Sequence, residues 1–158
     1  MSVSAVATPP QRPRALLAIA VGGIVVGLLD LAYAIVVYTP TQPILVPQTI
    51  ASGLLGAKAY DGGMQTAALG TFLHFVIAIG AAGVYYLASR RIPFLLDHDV
   101  IAGLIYGALV FGFMHLVVLP LSNIPHIDSR LIYKSAEFVE HWFCVGLPIS
   151  ISVRHYSR

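Results

Sequence analysis

Residues 15–38 read ALLAIAVGGIVVGLLDLAYAIVVY, a stretch in which Asp30 is the single charged side chain. A helix needs about 20 mainly apolar residues to cross the hydrocarbon core of a bilayer. Three later stretches have the same character, at about 64–88, 100–120 and 134–153, and short polar breaks separate them. The sequence therefore predicts an all-α polytopic membrane protein, a four-transmembrane-helix bundle in which residues 1–158 form a single membrane domain.

The composition supports this fold class and excludes others. Hydrophobic residues make up 58% of the 158 residues and charged residues only 10%, whereas an ordinary globular domain has roughly 45–50% apolar residues. The net charge of +2 comes mainly from arginines near the helix ends, which is typical of membrane anchoring and not of a nucleic-acid surface. We expect the lipid bilayer to be a partner and nucleic acid not to be one.

The polar breaks complete the architecture. Residues 1–13 are polar and rich in proline, so they predict a disordered N-terminal tail. Residues 39–47 contain three prolines and predict a loop. Pro47 can begin a short helix with Ala51 and Leu54 on one side and Gln48 and Ser52 on the other. This pattern predicts a short interfacial amphipathic helix between spans 1 and 2.

The distribution of cations predicts the orientation. Loops on the cytoplasmic side of a membrane carry an excess of lysine and arginine. One side of the predicted bundle has six such residues and the other has three. The richer side contains Arg12, Arg14, Arg90, Arg91, Arg154 and Arg158, and the poorer side contains Lys58, Arg130 and Lys134. We therefore expect both termini to be cytoplasmic.

Small residues predict where the helices pack closely, because they let two backbones approach. The candidates are Gly23, Gly27, Gly70, Gly103 and Gly107. The stripe that contains Gly23 and Gly27 continues at helical spacing to Asp30, and the stripe that contains Gly70 continues to His74. Two ionisable side chains thus share faces that should contact other helices.

The segment 134–142, KSAEFVEHW, concentrates further ionisable side chains at the start of the fourth span. Glu137 and His141 are four residues apart, so they share one helix face, and Glu140 lies beside them. Counting the helical rise from each end places six ionisable residues in the middle or outer half of the bilayer. These residues are Asp30, His74, His115, Glu137, Glu140 and His141. We expect them to converge on one polar intramembrane cluster.

Several functions are compatible with such a cluster. An ionisable group at membrane depth costs at least about 2.5–3.5 kcal/mol, so it has either a structural partner or a function. The favoured function is the handling of protons or of a small solute. The alternatives are a polar network that only fixes helix packing, and an accessory or assembly subunit in a homo-oligomer or a larger membrane complex.

A metal or haem site is a further alternative. His74, His115 and His141 could bind zinc, copper or iron together with a carboxylate from Glu137, Glu140 or Asp30, and two of the histidines could bind a haem. The ligand spacings of common metal and haem motifs are missing from the chain, so we expect no cofactor in the first instance. There is no catalytic triad, phosphate-binding loop or nucleotide fingerprint either, so an enzyme is disfavoured.

Several loose motifs follow one another along the chain. They include Gly27-x-x-Asp30-x-x-Tyr33-Ala34, Gly70-x-x-x-His74-Phe75, Ala88-Ser89-Arg90-Arg91-x-Pro93, Val118-Leu119-Pro120-Leu121-Ser122 and Gly146-Leu147-Pro148. In their order and spacing the chain resembles an uncharacterised family of small bacterial inner-membrane proteins with four spans and no assigned activity. The resemblance covers nearly the whole chain. It implies four helices and a location in the bacterial inner membrane, and it implies no substrate.

Overall fold

The structure is a computed structural model, and it describes residues 14–125 and 131–157. The predicted tail at 1–13 lies outside the described residues. Every regular element within these ranges is helical, so the predicted all-α class is confirmed. The helices are α1 (Ala15–Tyr38), α2 (Leu45–Leu55), α3 (Gly63–Ser89), α4 (Phe94–Asp97), α5 (Asp99–Leu121) and α6 (131–157). A 3-10 helical segment, Gly56–Gly62, joins α2 to α3.

Three helical segments are long and apolar enough to cross a membrane: Ala15–Tyr38, Leu45–Ser89 and Asp99–Leu121. Large hydrophobic side chains are exposed along all three, among them Leu28, Phe72 and Leu116. A soluble monomer rarely exposes so much apolar surface, whereas lipid tails solvate it without cost. These features support a membrane protein with transmembrane helices. The fourth long helix, α6, is not among the three segments.

The long helices run in alternating directions. The backbone N–H of Arg14 donates a hydrogen bond to the carbonyl of Tyr156 at 3.0 Å, so the start of α1 meets the end of α6. The end of α6 also meets the start of α5, because Arg154 forms an ion pair with Asp99. This end of the bundle is called the terminal end. At the opposite end, called the loop end, the N–H of Asn123 donates to the carbonyl of Gly53.

The apolar core fills the half of the bundle near the terminal end. It consists of small residues, β-branched residues and two tyrosines: Ala18, Val26, Ala78, Ala82, Tyr85, Tyr86, Ala102, Val145, Ile149 and Val153. In α1, α3 and α6 these residues lie between the terminal end and the ionisable residues Asp30, His74 and His141. The polar residues are therefore separated from the terminal end by apolar packing.

The short helix α2 buries polar residues as well as part of its apolar side. Gln48, Ala51 and Ser52 are buried, whereas Leu54 is 62% exposed. The amide of Gln48 donates a hydrogen bond of 3.1 Å to the carbonyl of Gly63 at the start of α3. The polar side faces the protein because it completes the hydrogen bonds of the α2–α3 connection.

Candidate polar site between the helices

The six ionisable residues named from the sequence lie together in the half of the bundle near the loop end. They are called the polar cluster: Asp30, His74, His115, Glu137, Glu140 and His141. Short contacts connect them in two groups. One group joins α1, α3 and α6, and the other joins α5 and α6 to the end of α1.

His74 links α3 to α1. Its Nε2 atom lies 3.0 Å from the carbonyl oxygen of Gly27, and because that oxygen can only accept, Nε2 carries the hydrogen and donates it. The two helices approach closely because Gly27 has no side chain: a Cβ there would lie within 2.6 Å of the Phe75 ring. The Nε2 atom is also 3.8 Å from Oδ2 of Asp30, which is too long for a hydrogen bond.

Glu140 and His141 form the most buried part of the polar cluster. Nδ1 of His141 lies 2.9 Å from the carbonyl oxygen of Glu137 and 2.8 Å from Oε2 of Glu140. Both neighbours are acceptors, and the single N–H is directed at the carbonyl. The Glu140 side chain is only 2% exposed, and neither of its oxygens has a hydrogen-bond partner within the described residues.

One set of side chains brings its possible ligand atoms together. Asp30, Glu140 and His141 each offer one such atom, and all three atoms lie within 4.8 Å of one another. No other group of three or more His, Cys, Asp and Glu side chains converges in this way in the described part of the chain. His74 and His115, which the sequence suggested as metal or haem ligands beside His141, are outside this set.

His115 and Glu137 form the more exposed group. Nδ1 of His115 donates to the carbonyl of Phe111 at 3.1 Å, and its Nε2 lies 3.7 Å from Oε2 of Glu137. The Tyr38 hydroxyl donates to the same carboxylate oxygen at 3.4 Å. The side chains of His115 and Glu137 are 20% and 30% exposed, so this group leads from the buried residues toward the surface.

Two π-helical turns accompany the histidines, and the sequence analysis did not predict them. The turns are Met114–Val118 in α5 and His141–Gly146 in α6, and each ends two residues before a proline, Pro120 or Pro148. A proline has no N–H to give to the carbonyl four residues earlier. The backbone instead forms hydrogen bonds to the residue five positions earlier. The N–H of Leu119 donates to the carbonyl of Met114, and the N–H of Leu147 donates to the carbonyl of Trp142. Such turns are frequent at functional sites.

The glycines named from the sequence all lie where another element is close. An added Cβ at Gly23 would meet the backbone of Ile79, one at Gly70 would meet the carbonyl of Pro47, and one at Gly103 would meet Ser150 and Gly146. At Gly107 it would meet the carbonyl of His141. Gly146, which the sequence analysis did not single out, packs against Gly103 and Gly107 from the other side. The sequence signal for this contact was that Gly146 lies four residues before Ser150, on the same face of the helix.

Two polar residues beside the cluster were also missed. Tyr38 reaches Glu137 from the end of α1, and its distance of eight residues from Asp30 was the only hint in the sequence. Cys144 follows Glu140 by four residues, and its thiol lies next to the Glu140 carboxylate. Asp30 and His141 are the other two polar neighbours of that carboxylate. Three polar side chains thus surround the Glu140 carboxylate, and neither of its oxygens has a hydrogen bond of ordinary geometry within the described residues.

Comparison with protein-family models, with curated proteins and with solved structures finds no match for this chain. The chemistry of the site follows from its own residues. Two carboxylates and one imidazole within 4.8 Å can share a proton, or they can bind a cation between them.

Proposed function

We propose that the chain is a multi-pass protein of the bacterial inner membrane in which α6 is a fourth span and both termini are cytoplasmic. The three long apolar segments and the antiparallel packing of α6 against α1 and α5 support this arrangement. The described arginines near helix ends are at the terminal end: Arg14, Arg90, Arg91 and Arg154. The resemblance to small four-span inner-membrane proteins agrees with it. In this orientation α2 lies at the outer interface.

We infer that the polar cluster takes up and releases protons, and the buried Glu140 carboxylate carries this inference. An ionised carboxylate at membrane depth without a hydrogen bond costs at least about 2.5–3.5 kcal/mol. A proton on the carboxylate removes most of this cost. His141, with Nδ1 2.8 Å from Oε2, is the nearest group that can exchange that proton: as an imidazolium it can give its Nδ1 proton to the carboxylate, and Nε2 keeps the remaining hydrogen.

The remaining residues of the cluster provide a route to the loop end. Side-chain exposure rises from 2% at Glu140 to 26% at Asp30 and 30% at Glu137. Toward the terminal end, the neighbours along the helices are the buried apolar residues Val26, Ala78 and Val145. Protons should therefore exchange with the outer side of the membrane, which makes the cluster an uptake site and not a continuous path across the bilayer.

Infrared difference spectroscopy on the purified protein tests this proposal. Lowering the pH should produce a band from a protonated carboxyl group in the wild-type protein. The band should be lost in Glu140→Gln and kept in Glu137→Gln, which changes the same residue type one turn earlier on α6. A wild-type difference spectrum without such a band, or a band that both variants retain, would overturn the proposal.

A second candidate function is that of a non-catalytic subunit. Gly80 and Gly83 lie on α3 with nothing within 4 Å of an added Cβ, so they leave a surface where another helix could approach closely. Native mass spectrometry of the mildly solubilised protein separates the candidates. A subunit should co-purify with a larger complex, and its assembly should tolerate Glu140→Gln.

A further inference from the structure

Asp30, Glu140 and His141 combine the donor types that bind divalent transition metals. Carboxylate oxygens and imidazole nitrogens are common ligands of zinc, manganese and iron, and no soft ligand is required. Two ligands at about 2.1 Å from one ion lie at most about 4.2 Å apart. The three ligand atoms lie within 4.8 Å of one another, so small side-chain rotations would bring them to one ion.

A second, independent observation points to a cation at this place. The Glu140 side chain is 98% buried, and both of its oxygens lack a hydrogen-bond partner within the described residues. Buried polar atoms in folded proteins almost always have a partner. Two carboxylates in close proximity also repel each other when both are ionised. A divalent ion between Asp30 and Glu140 would satisfy the oxygens and neutralise the two charges together.

The surroundings of His141 are those of a metal-binding histidine. Such histidines commonly donate one ring N–H to a carbonyl or a carboxylate, which fixes the orientation of the ring. Nδ1 of His141 has this contact with the carbonyl of Glu137 at 2.9 Å, so Nε2 is the ring nitrogen that would bind the ion. The backbone of His141 is itself held in place, since its carbonyl packs against Gly107 of α5. The ring is thus positioned by two helices before any ligand binds.

We propose that Asp30, Glu140 and His141 bind one divalent transition metal ion, with zinc as the first ion to test. Three protein ligands leave a position open for water or a solute, as in zinc sites that exchange ligands. The proposal rests on the proposed proton-handling function, because the carboxylates that would bind the ion are those that would bind protons. Metal and protons should therefore compete for the site.

The first test measures zinc bound to the purified, chelator-treated full-length protein after addition of zinc alone, by mass spectrometry of the metal. We expect about one zinc ion per chain. Asp30→Asn, Glu140→Gln and His141→Gln should each weaken binding by at least about 100-fold, since loss of even an outer-shell partner of a metal costs 10- to 100-fold. The matched controls Glu137→Gln and His115→Gln should bind zinc as the wild-type protein does.

X-ray absorption at the zinc edge of the wild-type protein adds a result that does not depend on the folding of any variant. Oxygen and nitrogen neighbours with one imidazole are expected. A sulfur neighbour would place the ion at Cys144 and overturn the proposal. So would zinc binding no higher than that of empty detergent micelles, or equal losses in the ligand variants and the controls.

The two proposals can fail separately. If zinc does not bind but the protonated-carboxyl band depends on Glu140, the metal site is wrong and the proton-handling function stands. If zinc binds through the three residues but the band is missing in metal-free protein, the metal site stands and the proton-handling function is wrong. Release of protons on zinc binding, measured in a weakly buffered solution, would show that the ion and the protons compete for the same site.

Discussion

Replacing Gly107 with alanine should loosen the contact between α5 and α6 that holds His141. An added Cβ at Gly107 would overlap the carbonyl oxygen of His141 and lie 2.9 Å from the Cα of Trp142. These are backbone atoms, so no side-chain rotation relieves the overlap. Overpacking of this kind typically costs about 1–3 kcal/mol. For a chain of 158 residues this corresponds to a decrease of about 2–12 °C in Tm.

Gly112→Ala is the matched control. Gly112 lies on the same helix, and nothing lies within 4 Å of a Cβ added there. In an open position, alanine favours a helix over glycine by about 0.5–1 kcal/mol. Gly112→Ala should therefore leave the stability unchanged or raise it slightly, while the same substitution at Gly107 lowers it.

The fluorescence of Trp142, the only tryptophan in the chain, reports on this contact directly because Trp142 follows His141. Unfolding of both variants would be followed by this signal in detergent micelles, as a function of temperature and of added denaturing detergent. Zinc binding should weaken in Gly107→Ala, since the displaced backbone carries His141. Equal stabilities of the two variants would refute the inference that backbone contact at Gly107 positions the site.

Two further predictions concern the ends of the bundle and use the same unfolding assay. Arg154→Ala and Asp99→Asn should each lower the free energy of unfolding by about 0.2–1 kcal/mol, because the ion pair is partly exposed to solvent. The double variant should lose no more stability than either single variant. Additive losses of stability would contradict the ion pair. Gln48→Ala should cost about 0.5–1.5 kcal/mol, because it removes the hydrogen bond from the Gln48 amide to the carbonyl of Gly63 while that carbonyl keeps the hydrogen bond from the Thr66 hydroxyl. Leu54→Ala, at an exposed position of α2, should be nearly neutral, and equal losses at both positions would show that the polar side of α2 is not buried.

The helical class could be predicted from the sequence because long apolar runs allow few other structures in a membrane. The end of α3 was equally accessible, because Arg90, Arg91 and Pro93 follow it as sequence rules suggest. The predicted loop at 39–47 is shorter in the structure, since α2 begins at Leu45. The proximity of Asp30 and His74 was also foreseeable, because each lies on a stripe of small residues that favours close packing.

The remaining features depend on information that periodicity does not contain. Helical spacing places Glu137 and His141 on one face but does not fix the rotation of α6 against α1, so the set of atoms that converge with Asp30 could not be deduced. The π-helical turns depend on how the backbone responds to Pro120 and Pro148. The burial of Gln48 and Ser52 in α2 could not be deduced, because an amphipathic pattern does not say whether its polar side meets water or a polar part of the protein.

Close packing and the polar cluster, which the sequence links only through the stripes of Asp30 and His74, are connected at two glycines in the structure. At Gly27 the missing side chain lets α3 come near enough for His74 to donate to the glycine carbonyl. The imidazole hydrogen is thereby satisfied by backbone, and Asp30 stays 3.8 Å away, close to Glu140 and His141. At Gly107 the same kind of approach supports the His141 backbone from α5. A larger residue at either glycine would therefore act on the charged groups of the cluster as well as on helix packing.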